Sequence, residues 1–242
     1  MAKESGLNVR LYVSGYDLSG DANSLGAVGY SNELYEVTTL DSSATARLLG
    51  KVDGTLTVNG FFDNASGKIH AVLSGNSGKI PTADVNVLVP LSSAAGDPCY
   101  GLVAKEAEYN TDRSDTGPVT VYSSFASNGF GPEFGEMMTA HDDTHASAGS
   151  GTVVDSGAAS SNGGTGFLQV FSLASGSVVT KIQECATSGG SYTDLVTFST
   201  VAAAAAPTSE RLVMTGTVQQ YLKVTTTGTF SNAAIAVGFA RS

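Results

Sequence analysis

Apolar and polar residues alternate over short stretches of this chain, and glycine, serine or asparagine repeatedly breaks the alternation. Leu7-Asn8-Val9-Arg10-Leu11-Tyr12-Val13 places its apolar side chains on one face, as a half-buried strand does. Gly15 to Asp21 reads as a turn or loop, and Glu33 to Thr39 as a second strand. Val52 to Phe62 is the clearest strand: Leu56, Val58 and Gly60 share one face, and Asp53-Gly54 supplies a turn at its start. A helix is predicted next, capped by Asp63 or Asn64. Its Ile69, Val72 and Leu73 fall at i, i+3, i+4 spacing, and Gly75 and Gly78 end it. Val85–Leu91, Cys99–Glu106 and Val119–Phe125 are the remaining strands of this first section.

The pattern changes after residue 125. Residues 126–165 are dominated by Gly, Ser, Asn and Ala, a length that is unusual for an unstructured loop inside a compact domain. They are expected to form a linker, or an arm ordered on a neighbouring subunit. Strands resume with Gly166–Leu173, Val178–Cys185, Thr193–Thr200, Glu210–Thr215, Gln219–Thr226 and Ala233–Phe239, separated by short turns as in a β-sandwich or jelly roll. Ala202 to Ala206, before Pro207, is a small-residue bend. The expected organisation is a β-domain at 1–140, a Gly/Ser-rich linker or arm at 141–163, and a small β-sandwich module at 164–242.

Composition supports an all-β fold with a minor helical part. The 242 residues include 29 glycines and only 14% charged residues, against 41% hydrophobic ones. That mixture suits many short strands and tight turns, and lacks the Leu, Glu and Lys of long amphipathic helices. No stretch reaches the roughly 18 consecutive apolar residues of a membrane-spanning helix, and no secretory signal is visible. Cys99 and Cys185 lie in unlike contexts, so two buried thiols from a cytoplasmic synthesis are expected rather than a disulfide.

The net charge of −10 is unevenly placed. Residues 1–145 hold 8 Lys/Arg and 18 Asp/Glu, whereas residues 146–242 hold 4 of each. Without clustered cations the chain is a poor nucleic-acid binder, although an acidic surface can face DNA without holding it.

The stretch from Leu7 to Leu73 resembles the opening of tube-forming proteins from long-tailed phages. The likeness rests on the early strand with its Gly15-Tyr16-Asp17 turn, the Leu34–Thr39 strand, the block from Lys51 to Asp63, and the helix after it. The C-terminal section resembles a second module common in phage structural proteins, through Thr180–Glu184, Asp194–Phe198, Glu210–Leu212 and Thr217–Val224. The resemblance implies a β-sandwich with one flanking helix, forming hexameric rings that stack into a DNA-conducting tube in the virion. The sheets of neighbouring copies would join around the ring, and the loop at about 40–51 and the 126–165 segment would bridge rings. An acidic N-terminal half fits a lumen through which DNA slides as non-sticking cargo, with the C-terminal module outside. The alternative within the virion is a capsid decoration or minor tail protein. A host carbohydrate-binding module is a further alternative, disfavoured by the lack of any Trp.

Candidate chemistry is sparse. His141-Asp142-Asp143-Thr144-His145 is the one cluster of metal-ligand types; His141, Asp143 and His145 could meet a metal only if a helix aligned them and another ligand arrived. Asp21, Asp41, Asp53, Asp63, Asp112 and Asp115 read as turn residues or caps rather than calcium ligands. Glu106 and Glu108 share a strand face in the alternating pattern and could pair as in a glycosidase, but a solvated strand edge is the plainer expectation. His70 is expected on the helix as a packed or surface residue. No G-x-S-x-G elbow occurs, and Gly75–Lys79 lacks phosphate-loop spacing. No catalytic residue, cofactor or metal is assigned.

Overall fold

The computed structural model describes residues 8–26, 28–75, 80–113 and 115–242. Among these residues it is all-β with one short α-helix and a single 3-10 turn (Ala203–Ala205), and every strand pairing is antiparallel. The strands are β1 (Tyr12–Val13), β2 (Tyr16–Asp17), β3 (Ala22–Leu25), β4 (Gly29–Glu36) and β5 (Arg47–Phe61). After the helix α1 (Ile69–Leu73) come β6 (Val85–Pro90), β7 (Pro98–Arg113), β8 (Val119–Ser127), β9 (Glu133–Met137), β10 (Thr144–His145) and β11 (Gly149–Asp155). The chain ends with β12 (Gly164–Cys185), β13 (Thr193–Thr197), β14 (Val201–Ala202), β15 (Thr208–Met214), β16 (Tyr221–Thr227) and β17 (Phe230–Arg241).

Strand β7 organises the N-terminal part. It pairs with β6 near its start and with β8 along the rest, so it belongs to two sheet faces that close over one core. One face runs β2-β1-β6-β7 and the other β3-β5-β8-β7. Between them lie Leu11, Val13, Leu56, Val58, Val87, Leu102, Val121 and Phe125, with Ile69 and Leu73 of α1. The helix is shorter than its sequence pattern predicts: five residues, burying Ile69, Ala71 and Leu73. Its cap also differs from expectation. The Asp63 carboxylate accepts from Ala65 N–H, while Asp21, from the loop before β3, accepts from Ile69 N–H at 3.1 Å. A carboxylate brought by the fold replaces the local one at the first turn. Leu7, Gly78 and the Asn76–Lys79 stretch, named in the strand, helix-end and phosphate-loop readings, lie outside the described residues.

Strand β12 plays the same part at the C-terminal end. The sequence predicts two strands, 166–173 and 178–185, but Gly164–Cys185 is one bent strand. The bend falls at Ser175–Gly176, where Gly176 has φ +79° and a Cβ would lie 2.0 Å from the Thr229 carbonyl. The first half of β12 pairs with β15 and β17, and the second with β13 and β16. The two layers enclose Leu168, Val170, Ile182, Val196, Phe198, Leu222, Val224, Ile235 and Val237.

The residues around 126–165 are built into these sheets. Strand β9 pairs with both β7 and β17, β10 with β17, and β11 with β16. A third apolar cluster, Tyr12, Leu88, Cys99, Met137, Phe167, Ala236 and Ala240, fills the seam between the two larger cores. Small residues allow the close approach there: a Cβ on Gly101 would lie 2.3 Å from the Phe167 ring. Strands β6 and the start of β12 are therefore buried on both faces. Cys99 and Cys185 are both buried and unpaired, and burial pushes the Cys99 thiol up to about 12.

Candidate functional site

The feature least explained by folding alone is the hairpin of β4 and the first half of β5. Strand β8 covers β5 only from Thr55 onward, so from Arg47 to Gly54 the ribbon has β4 on one side and an unpaired edge on the other. The outer edge of β4 is unpaired too, among the described residues.

Its apolar side chains have nothing to pack on. Leu34 stands opposite Leu49, and Tyr35 opposite Leu48. Successive residues of a strand point to opposite faces, so these two pairs make both faces of the ribbon apolar. Leu34 is 60% exposed, Leu49 69%, and Leu40 at the tip fully so. The tip itself is ordered: Val37 N–H donates to the Ala46 carbonyl at 2.9 Å, and Thr39 Oγ1–H to Asp41 Oδ1 at 2.5 Å. At the root, a cleft of about 770 Å³ lies between Tyr30, Lys51 and Val52 on one side and Phe130, Pro132 and Glu133 on the other. Beside it the Arg211 guanidinium grips Glu133 through two bonds of 2.9 Å and stacks 4.1 Å from the Phe130 ring centroid. An ordered ribbon with two uncovered apolar faces and two open edges is a surface for protein contact.

The sheet that carries this arm presents a polar outer face. Register places Asn59 beside Tyr122 and Asn110, and Thr120 beside Asp112, with Ser124 beside Glu108. The inward positions between them are Val58, Val121 and Phe125. Lys105, the cation of this face, is engaged with Asp84 at 2.8 Å and with the Thr82 carbonyl.

One sequence reading is corrected on this sheet. Glu106 and Glu108 do not share a solvated face, because a bulge at Ala107 shifts the register between them. Glu108 stays outside and bonds Asn110, whereas Glu106 is buried and accepts from Ser123 Oγ–H at 2.7 Å. Burial raises the Glu106 carboxyl to about 7, partly opposed by the Ser123 bond. Nearby His70 Nδ1 lies 2.7 Å from the Tyr109 hydroxyl, and its ring packs on Phe62.

The candidate metal ligands are placed as follows. His145 lies on β10 with Nε2 3.3 Å from Asp143 Oδ2. His141 is buried against Tyr12 instead. Among the described residues no group of three or more His, Cys, Asp or Glu side chains converges on one point. Several of the other aspartates hold turns and strand ends: Asp53 accepts from Gly54 N–H and from Ser127 Oγ–H across the sheet, and Asp112 from Arg113 N–H.

The arm was only half visible in the sequence, which predicts a strand over 33–39 and then a loop to 51. The missed signal is the doubled apolar pairs Leu34-Tyr35 and Leu48-Leu49. A one-sided hairpin would alternate at those positions; a ribbon covered on both faces would not.

No protein-family model matches the chain, and no curated protein matches it. Distant likenesses exist among solved structures. A chain of the virion of a native gene transfer agent particle aligns at 17% identity over 55% of this chain and 98% of that one, with a TM-score of 0.41. A chain from the tail of an empty particle of that type, of C6 symmetry, aligns at 18% identity over the same shares, with a TM-score of 0.39. The Dit protein of phage SPP1, described as a hub adsorption apparatus of phages infecting Gram-positive hosts, aligns at 10% identity. It covers 96% of this chain and 98% of that one, with a TM-score of 0.37.

Proposed function

We propose that this chain is a structural subunit of a tailed-phage virion, and specifically a tail tube protein whose rings stack around a DNA-conducting lumen. The observation that carries the assembly is the arm of β4 and β5, with Leu34, Tyr35, Leu48 and Leu49 uncovered on both faces. Burying a Leu side chain fully is worth about 1.5–3 kcal/mol, so covering several of these on other copies contributes to association against its entropic cost. The open edges of the arm offer backbone N–H and C=O groups through which one copy's sheet can continue into the next. Sixfold rings are the symmetry that the sequence resemblance implies.

The polar face of β5, β8 and β7 supports the placement of the lumen. Asn59, Tyr122, Asn110, Glu108 and Asp112 give neutral and negative groups there, so DNA can pass without adhering. In this reading residues 1–140 form the tube unit and 164–242 an outer module, with 141–163 between them. The subunit is made in the host cytoplasm, binds itself and other virion proteins, and performs no catalysis.

Negative-stain electron microscopy of the purified protein, and of particles carrying it, tests this reading. Tubes of stacked rings are expected. Discrete trimers, or label confined to the capsid, would replace the tube with capsid decoration. A map with Glu108 and Asp112 on the outer surface would remove the lumen assignment.

A further inference from the structure

A buried histidine stands at the seam between the two large cores. His141 is 6% exposed, and its ring meets the Tyr12 ring edge-on with centroids 6.5 Å apart. The Tyr12 hydroxyl donates to the His141 carbonyl at 3.3 Å, and His141 N–H donates to the Ser93 carbonyl at 3.2 Å. Tyr12 belongs to the seam cluster with Leu88, Phe167 and Ala236. One residue thus touches β1, the β6–β7 turn, and the segment that leads from β9 into β10.

The ring's hydrogen bonds fit a neutral imidazole. Nε2 is buried with no hydrogen-bond partner among the described residues, and backbone Ser92 is the neighbouring group that favours the protonated ring. In the neutral tautomer with its proton on Nδ1, Nε2 carries only a lone pair. A second proton would turn it into a buried, charged N–H with nothing to accept it, which is far more costly than a buried lone pair.

The surrounding charges do not offset that cost. Burial and the positive Arg10 hold the His141 pKa below its ordinary value, outweighing the pull of Ser92, Asp142 and Asp17. Asp17 also faces Arg10 at 3.7 Å. The β6–β7 turn adds Asp97, whose carboxylate accepts from Ala94 N–H at 2.7 Å. Asp143 is turned to His145, and β17 presents only Ala233 to Val237 at this level.

We propose that His141 is an acid-sensitive clasp between the two halves of the chain: its neutral ring closes the seam, and its protonation opens it. The sign follows from linkage. An unfolded or unclasped chain takes up the proton near the ordinary histidine value of about 6.5, while the closed seam does not until lower pH. The stability that the closed seam contributes is therefore present above about pH 6.5 and is lost as pH falls below it. Glu106, buried in the N-terminal half, acts in the opposite sense: it takes up its proton as pH falls through 7, so acid does not loosen that core through it. The inference concerns the seating of one half on the other within a single chain, and holds whether or not the arms assemble it into a tube.

Hydrogen exchange on the dispersed full-length protein at pH 7.5 and pH 5.5, corrected for intrinsic rates, tests the clasp. Wild type should lose protection severalfold, and at most about tenfold, at pH 5.5 in β1, β6 and the first half of β12, while β16 stays protected. His141→Gln should remove most of that difference, and His145→Gln should leave it intact. An equal acid-induced loss in His141→Gln, or no loss in wild type, overturns the proposal. So does a variant whose seam is open at both pH values, since packing rather than charge would then be responsible. Because the chain has only three histidines, proton NMR of the wild-type rings gives a second reading that needs no buried substitution. A His141 midpoint at or above 6.5 would sink the clasp.

Discussion

Gln169 reaches across the seam to Asn86: its Nε2–H donates to the Asn86 carbonyl at 3.0 Å, and its Oε1 accepts from Gly15 N–H at 2.6 Å. The side chain is wholly buried, on a stretch of strand covered on both faces and flanked by Phe167, Leu168 and Val170. It satisfies Gly15 N–H and shares the Asn86 carbonyl with Ser14 N–H, so this polar residue is a fastener rather than a defect.

Gln169→Leu keeps the volume but leaves Gly15 N–H without a partner, while the Asn86 carbonyl keeps its bond from Ser14 N–H. At about 1–3 kcal/mol for a stranded buried group, the variant should be destabilised by roughly 1–3 kcal/mol. Urea unfolding checks this; a change under about 0.5 kcal/mol would mean that water or a neighbour replaces the amide.

Gly101 leaves the room that the Phe167 ring occupies in the seam, where a Cβ would lie 2.3 Å from it. Gly101→Ala should cost about 1–3 kcal/mol through overpacking. Adding Phe167→Leu should recover part of that loss, although Phe167→Leu alone is destabilising. A double-mutant cycle with no coupling between the two would contradict the contact.

Glu106 makes stability depend on pH near neutrality. Its carboxyl titrates near 7 in the folded chain instead of 4.5, so the folded state holds a proton that the unfolded chain has already lost. Its contribution is complete below pH 4.5 and is lost as pH rises through 7, by an amount on the order of 2 kcal/mol. Glu106→Gln keeps an acceptor for Ser123 and removes the titration. The variant should match wild type at pH 4 and unfold at higher temperature at pH 8; equal melting temperatures at pH 8 would refute the assignment.

The arm should be dispensable for folding and necessary for assembly. Replacing Leu34 and Leu49 with Asn alters exposed side chains, so monomer stability should stay within about 0.5 kcal/mol. Sedimentation velocity should show the assembled species lost. Intact assemblies from the double variant would move the interface elsewhere.

The cores of each half were legible from alternation. Leu56, Val58 and Gly60 point inward on β5 as their spacing predicts, and Val87, Val89 and Leu102 face them. The helix was legible in place but not in length or cap, because Asp21 approaches from 48 residues away. The bulge at Ala107 left no mark in the residue types, so the strand pattern alone gives Glu106 and Glu108 one face.

What the sequence determined by itself is the all-β character, most strand positions, and the presence of buried thiols. These follow from local side-chain periodicity and from the scarcity of helix formers. It also marks the strands buried on both sides, through unbroken apolar runs such as Val87-Leu88-Val89 and Ala233 to Val237. Only the tertiary structure decides what covers each face: Val87 turns to the N-terminal core and Leu88 to the seam. The same limit hid the arm. Leu34, Tyr35, Leu48 and Leu49 look like core residues in one dimension, and pairing with β5 alone carries them past the edge of β8, where no part of their own chain can bury them.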